Sequence, residues 1–185
     1  GGSSWISEFE LITGLDVRLF GDDGSATHVM LPPYIKHTLP RYLSDRGYRT
    51  AAFFAADGNF YNSRKAFAEY GFAEFHDCHD LGINRWRSSD IDAADAMIKS
   101  LERAGDTPFF AYVITLGAHS PMRKLPAAPD DYRARFTTGE NRDLSIKVQA
   151  YVRLLGESAE AMARTLEFLK DTERRTGRPF VLLVY

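Results

Sequence analysis

An α/β sandwich with a largely parallel central sheet is the fold this sequence predicts, and three observations predict it. Short, nearly unbroken apolar runs at 48–56, 107–115 and 180–185 read as strands buried on both faces. The segments between them carry apolar residues three and four apart, the spacing of helices with one buried face. Helix and strand alternate along the chain, the order that crossover connections impose on a parallel sheet.

Residues 4–13 read as a short helix, with Ile6, Phe9, Glu10 and Thr13 on one face and Gly14 as its stop. Residues 16–33 are rich in turn formers, including Gly-Asp-Asp-Gly at 21–24 and Pro32-Pro33. Thr38 caps a helix that starts at Leu39, holds Pro40 in its first turn, and runs to Asp45 before Gly47. The first strand, 48–56, follows. Asn62 or Ser63 caps a second short helix through Tyr70, closed by Gly71, and 72–76 reads as a brief strand. Ser88 or Ser89 caps a longer helix, 90–104, striped by Ile91, Ala94, Met97, Ile98 and Leu101. Strand 107–115 leads into a loop, 117–143, rich in Pro, Asp and Arg and longer than simple connection requires. The longest helix, 144–170, carries Val148, Tyr151 or Val152, Leu155, Ala159, Met162, Leu166 and Leu169 as its stripe, and Gly177 and Pro179 separate it from strand 180–185.

A length of 185 residues suits a single domain, 1–185, with a real core. A net charge of −2 without any Lys/Arg run excludes a generally basic nucleic-acid surface. The longest apolar stretches, 51–56 and 179–185, are too short to span a bilayer. Cys78 is the only cysteine, which excludes an internal disulfide and a thiolate metal cluster.

Two segments point to chemistry. Gly1 and Gly2 allow backbone amides to approach a ligand, and Ser3 and Ser4 stand where a helix begins, a place suited to holding or attacking a phosphate. The strand 109–115 delivers His119 into a loop, where an imidazole can bind a phosphoryl oxygen or protonate a leaving oxygen. A helix-start hydroxyl with a strand-end histidine suggests phosphoryl-type transfer. Ser3 or Ser4 can equally serve as an N-cap. Asp57 follows a buried strand and precedes Gly58, so it suits either a pocket or a turn. Arg64, early in a helix, can clamp a phosphate or stand solvated. The run His76, Asp77, Cys78, His79, Asp80 has a spacing that suits no structural zinc site and reads as a polar loop.

Taken in order, these segments resemble a known group. The glycine turn, the hydroxyl residue and Ser7-Glu8-Phe9 resemble the nucleophile region of the lipoteichoic acid synthase and phosphoglycerol transferase group, within the alkaline phosphatase–sulfatase superfamily. Counting back from Ser7, the group's nucleophile falls on Ser4, with Ser3 a competing position. Leu39 to Phe75 resembles the group's helix, strand, Asp and aromatic-Asn-Arg segment, which sets Asp57 and Arg64 on its substrate-pocket Asp and Arg and leaves the aromatic wall between Phe60 and Tyr61. Phe109 to Pro121 resembles the segment ending in Thr-Leu-x-x-His-x-Pro, with its histidine on His119.

The resemblance implies an alkaline-phosphatase-like, three-layer αβα fold, of which this chain is the middle, truncated at both ends. It implies a divalent manganese, magnesium or zinc ion. Ser4 would be one metal ligand, and the others would lie outside the chain, before Gly1 and after Tyr185. The implied activity is phosphoglycerol-type transfer through a phosphoseryl intermediate on Ser4, with His119, Arg64 and Asp57 binding substrate. A phospholipid or phosphoglycerol-bearing donor and a polyol or glycan acceptor are the implied partners, at the extracytoplasmic face of a bacterial inner membrane. Hydrolysis of a sulfate or phosphate ester is an alternative, although no Cys or Ser with the Pro and Arg of a formylglycine motif surrounds Ser4. A binding or structural domain that keeps the fold without its metal ligands is the reading from another class.

Overall fold

The computed structural model describes residues 4–84, 88–117, 119 and 142–184, without the side chains of 142–147. It divides into two compact units: Gly1–Leu81 with Ala104–Ile114, and Gly82–Arg103 with Thr115–Tyr185.

The first unit is built on a three-stranded parallel sheet in the order β2-β1-β3. β1 (Arg49–Phe54) lies between β2 (Glu74–His76) and β3 (Phe109–Ile114), with Ala52 opposite Phe75 on one side and Tyr112 on the other. A central strand is covered on both faces and both edges, which is why Ala51, Ala52 and Phe53 are almost fully buried and the run reads as continuously apolar. Among the described residues, this unit holds the α-helices α1 (Ser4–Thr13), α2 (Thr27–Met30), α3 (Leu39–Ser44) and α4 (Ser63–Glu69). Thr38 caps α3 as its sequence predicts, its Oγ1 accepting from the Arg41 N–H, and the same hydroxyl donates to the Tyr70 carbonyl at 2.5 Å. The core gathers around Phe67 of α4, whose ring meets those of His28, Tyr70, Phe72, Phe75 and Tyr112 at 5.4–6.2 Å. Complete burial of such a ring contributes roughly 2–3 kcal/mol.

The second unit holds α5 (Asp90–Glu102) and α6 (Arg142–Thr176). Ser89 and Asp92 close a reciprocal capping box at the start of α5. Ala93, Ala94, Met97 and Leu101 of α5 and Leu154, Ala161 and Leu169 of α6 form the buried stripes of two packed helices.

Two segments depart from the sequence-based expectation. The turn-rich region 16–33 contains a 3-10 segment, Val17–Ala26, then α2, then a 3-10 turn at Pro32–Tyr34. Such short helices have too few turns to show a hydrophobic period. The run expected as a buried strand at 180–185 is not a strand among its described residues, and Val181 is 94% exposed. An apolar run becomes a strand only when a neighbouring edge pairs with it. Among the described residues, no helix is long and apolar enough to cross a membrane.

Candidate active site

Ser4 is the first residue of α1 and is exposed, so it stands within the helix rather than as its cap. Residues four apart share a helix face, and the Ser4 hydroxyl lies near enough to the Glu8 carboxyl to influence its ionisation. Glu8 is only 6% exposed. Burial pushes its pKa up to about 7, against the opposing pull of the Ser4 hydroxyl. A hydroxyl at the positive end of a ten-residue helix thus stands beside a carboxyl able to exchange a proton near neutrality.

His28 lies behind Glu8. It is 1% exposed, with Nε2 3.6 Å from Glu8 Oε2, and among the described residues neither ring nitrogen has a hydrogen-bond partner. The rings of Tyr61, Phe67 and Tyr70 surround it at 5.5–5.9 Å. Burial in this box pushes the imidazole down to about 4. Each partner is driven toward its neutral form, so between those two values the contact joins neutral groups and is no ion pair.

The segment around His28 also holds the residues next to Ser4. The Ser25 carbonyl accepts from both Trp5 Nε1 and the Tyr61 hydroxyl at 3.2 Å, and the two rings stack at 4.2 Å. Thr27 Oγ1 donates to the Trp5 carbonyl at 3.1 Å, and Asn62 Nδ2 donates to the His28 carbonyl at 2.7 Å. Tyr61 and Asn62 both adopt the left-handed region, at φ 49° and 59°. Two successive non-glycine residues there are strained and persist because these bonds fix the turn.

Asp57 and Arg64 lie at a second cluster in the same unit, and the structure brings them together. After β1 the chain turns so that the Gly58 carbonyl accepts from the Arg64 N–H at 2.8 Å. A Cβ at Gly58 would lie 3.0 Å from Arg64 Nε, from Asp77 Oδ2 and from the Phe75 ring, so glycine is required by close approach. Asp57 Oδ1 accepts from the Asn59 N–H at 2.8 Å, and Oδ2 stands 3.4 Å from His79 Nε2. The Asn59 N–H first, then His79, holds the Asp57 carboxyl below its usual range. Arg64 reaches Asp77 at 2.6 Å and Asp80 at 2.9 Å and remains about half exposed. Buried Asp77 also accepts from the N–H groups of Gly58, His79 and Asp80. Burial raises its pKa, but the Arg64 guanidinium and those N–H groups override it and hold it at about 2. The polar loop 76–80 is thus the scaffold of Arg64.

His119 belongs to the second unit. It is exposed, and its N–H donates to the Leu116 carbonyl at 3.0 Å. Ser3, Trp86, most of loop 117–143 and its arginines Arg123, Arg133 and Arg135 lie outside the described residues.

Among the described residues, no three His, Cys, Asp or Glu side chains are grouped to share an ion. The carboxyl one turn beyond Ser4, Glu8, is favoured by burial in its neutral form, a poor ligand. The described residues therefore do not by themselves fit a divalent ion.

Sequence reasoning missed Glu8, His28 and Asp77. Glu8 is polar on a face whose other buried members, Phe9 and Ile12, are apolar, and His28 sits in a helix of four residues. The usable signal was the i, i+4 spacing of Ser4 and Glu8.

A small parallel sheet flanked in sequence by helices, with a helix-start serine, defines an alkaline-phosphatase-like α/β fold. Three solved structures share it. The lipoteichoic acid synthase LtaP from Listeria monocytogenes superposes with a TM-score of 0.71 at 19% identity, covering 93% of this chain and 41% of that one. The Streptococcus pyogenes phosphoglycerol transferase GacH, in complex with sn-glycerol-1-phosphate, gives 0.67 at 20%, covering 93% and 46%. A protein of the alkaline phosphatase superfamily from Vibrio parahaemolyticus gives 0.56 at 18%, covering 92% and 40%. At these identities the likeness shows the fold alone, and this chain spans less than half the length of each. No curated protein matches the sequence. The chain belongs to the sulfatase family, whose profile matches residues 3–177. That family is typically metal-dependent.

Proposed function

We propose that the chain is part of one catalytic domain of a phosphoglycerol-type phosphodiester transferase of the bacterial cell envelope, working at the extracytoplasmic face, with Ser4 as nucleophile. The observation that carries this reading is the exposed Ser4 hydroxyl at the start of α1, one helical turn before the Glu8 carboxyl on the same face. Ser4 Oγ attacks phosphorus, its proton passes to the ionised Glu8 carboxylate, and the bond from phosphorus to the donor alcohol breaks. The departing alkoxide takes its proton from water, leaving hydroxide. In the second step a polyol or glycan hydroxyl attacks the phosphoserine and gives its proton to hydroxide, while Ser4 Oγ leaves and is reprotonated from Glu8. Both steps conserve the number of P–O bonds. Arg64, Asp57 and His119 are the residues we assign to the phosphoryl and glycerol groups, the half-exposed guanidinium being suited to phosphate. The fold shared with GacH, whose structure holds sn-glycerol-1-phosphate, supports that choice of substrate class.

The test is Ser4→Ala in the intact protein, assayed on bis(p-nitrophenyl) phosphate. We expect turnover to fall by at least about a thousandfold, the scale of losing a nucleophile, with the thermal midpoint nearly unchanged. Turnover retained by the variant would overturn the assignment. The family match makes ester hydrolysis a second reading, and product analysis with glycerol added separates it: transfer yields a glycerol phosphodiester, hydrolysis only the monoester.

A further inference from the structure

We propose that Asp90 is a positioning residue for His119, anchoring the turn that presents the imidazole. This rests on the assignment of His119 to substrate binding, and every residue it uses belongs to the second unit.

Asp90 is the first residue of α5, where an acidic side chain ordinarily serves the helix end from the surface. That need is already met. Ser89 Oγ accepts from the Asp92 N–H at 3.2 Å, and Asp92 Oδ2 accepts from the Ser89 N–H at 2.7 Å. Asp90 instead turns inward and is 2% exposed. Its Oδ1 accepts from the Gly117 N–H at 2.8 Å, and its Oδ2 accepts from the Ser158 hydroxyl of α6 at 2.5 Å. A carboxyl buried this deeply is tolerated only when such bonds replace water.

The location of the first bond gives it a function. The His119 N–H donates to the Leu116 carbonyl, closing a turn over Gly117, and Asp90 grips the amide at that turn's second position. The approach is close: a Cβ on Gly117 would lie 2.7 Å from the Asp90 carboxyl carbon. Glycine at 117 and aspartate at 90 are therefore matched, and the pair ties the His119 turn to the packed α5 and α6 helices. Asp90 acts only through this turn, so its effect on a ligand should vanish when the imidazole is absent.

The probe is sn-glycerol-1-phosphate, titrated calorimetrically into the intact protein. His119→Ala and Asp90→Ala should each weaken binding by about tenfold, the scale of one hydrogen bond to an anion. Asp90→Asn, which keeps an acceptor for Gly117 and a polar group for Ser158, should restore most of the affinity. In the His119→Ala background, Asp90→Ala should cost nothing further. Ser158→Ala should lower the thermal midpoint and leave the affinity unchanged, which separates helix packing from positioning. Should Asp90→Ala fail to fold, Gly117→Ala takes its place, with the same loss and the same non-additivity expected. Unchanged affinity in Asp90→Ala beside a weakened His119→Ala, or losses that add, would overturn the positioning role alone. Unchanged affinity in His119→Ala would overturn the assignment of His119 itself.

Discussion

Glu8 with His28, and Asp77 with Arg64, are two acid–base pairs in the same unit with opposite electrostatics. The first is sealed among aromatic rings, 3.6 Å apart, with no hydrogen bond on the imidazole among the described residues. The second lies at a half-exposed rim, 2.6 Å apart, and Asp77 collects three backbone N–H groups besides the guanidinium. Burial outweighs the pull of the Ser4 hydroxyl at Glu8 and goes unopposed at His28, pushing both toward neutrality, whereas hydrogen bonds overcome burial at Asp77 and keep its charge. The sequence position of a carboxyl does not decide between these outcomes; the number of donors aimed at it does.

Removing a partner should break the charged pair most severely. Asp77→Ala leaves the N–H groups of Gly58, His79 and Asp80 without their acceptor and leaves Arg64 with Asp80 and the Phe75 carbonyl alone. The expected loss is roughly 3 kcal/mol in urea denaturation, with Asp77→Asn losing about half of that because it keeps one acceptor oxygen. Asp77 has its folded pKa below the unfolded 3.8, so its contribution is present above pH 3.8 and is lost as pH falls through about 2. An Asp77→Ala variant as stable as the wild type would mean that the loop holds Arg64 by other means.

The neutral pair makes the opposite prediction. Glu8 has its folded pKa raised from 4.5 to about 7, so its contribution is present below pH 4.5 and is lost as pH rises through 7. His28 has its folded pKa lowered from 6.5 to about 4, so its contribution is present above pH 6.5 and is lost as pH falls through 4. Glu8→Gln keeps the shape and cannot ionise. It should therefore be more stable than the wild type above about pH 8, by roughly 2 kcal/mol, and nearly equal to it near pH 5. Thermal midpoints at the two pH values check this. If the variant is less stable at both, Glu8 is charged in the folded protein and the contrast with Asp77 fails.

How much of this was legible depends on the kind of signal each residue carries. α1, α3, α5 and both long strands follow from caps, glycine stops and periodicity, because those signals are local. The sequence singles out Asp57 after a strand and Arg64 early in a helix as candidates, without their turn geometry. Asp77 as their anchor could not be read in advance, since its four partners come from three separate stretches of chain. His28 was hidden more deeply, because nothing in Ala-Thr-His-Val announces a residue buried by three aromatic rings from 61, 67 and 70. The run at 180–184 failed in the other direction: its apolar character was plain, and its pairing was not a local property.

The smallest effect tests what ties His28 to the strained turn. Asn62 adopts φ 59° and donates from Nδ2 to the His28 carbonyl. Asn62→Gly gives up that bond, worth about 1 kcal/mol, and gains a residue that adopts this backbone without penalty, worth a similar amount. The two should cancel to within about 0.5 kcal/mol in denaturant midpoint stability. Asn62→Ala forfeits the bond and keeps the strain, so it should cost about 2 kcal/mol. The difference between these variants isolates backbone strain, since both lack the side-chain amide. Were glycine to cost as much as alanine, the turn would be held by its hydrogen bond alone, and the strained geometry at Tyr61 and Asn62 would contribute nothing to fixing His28 behind Glu8.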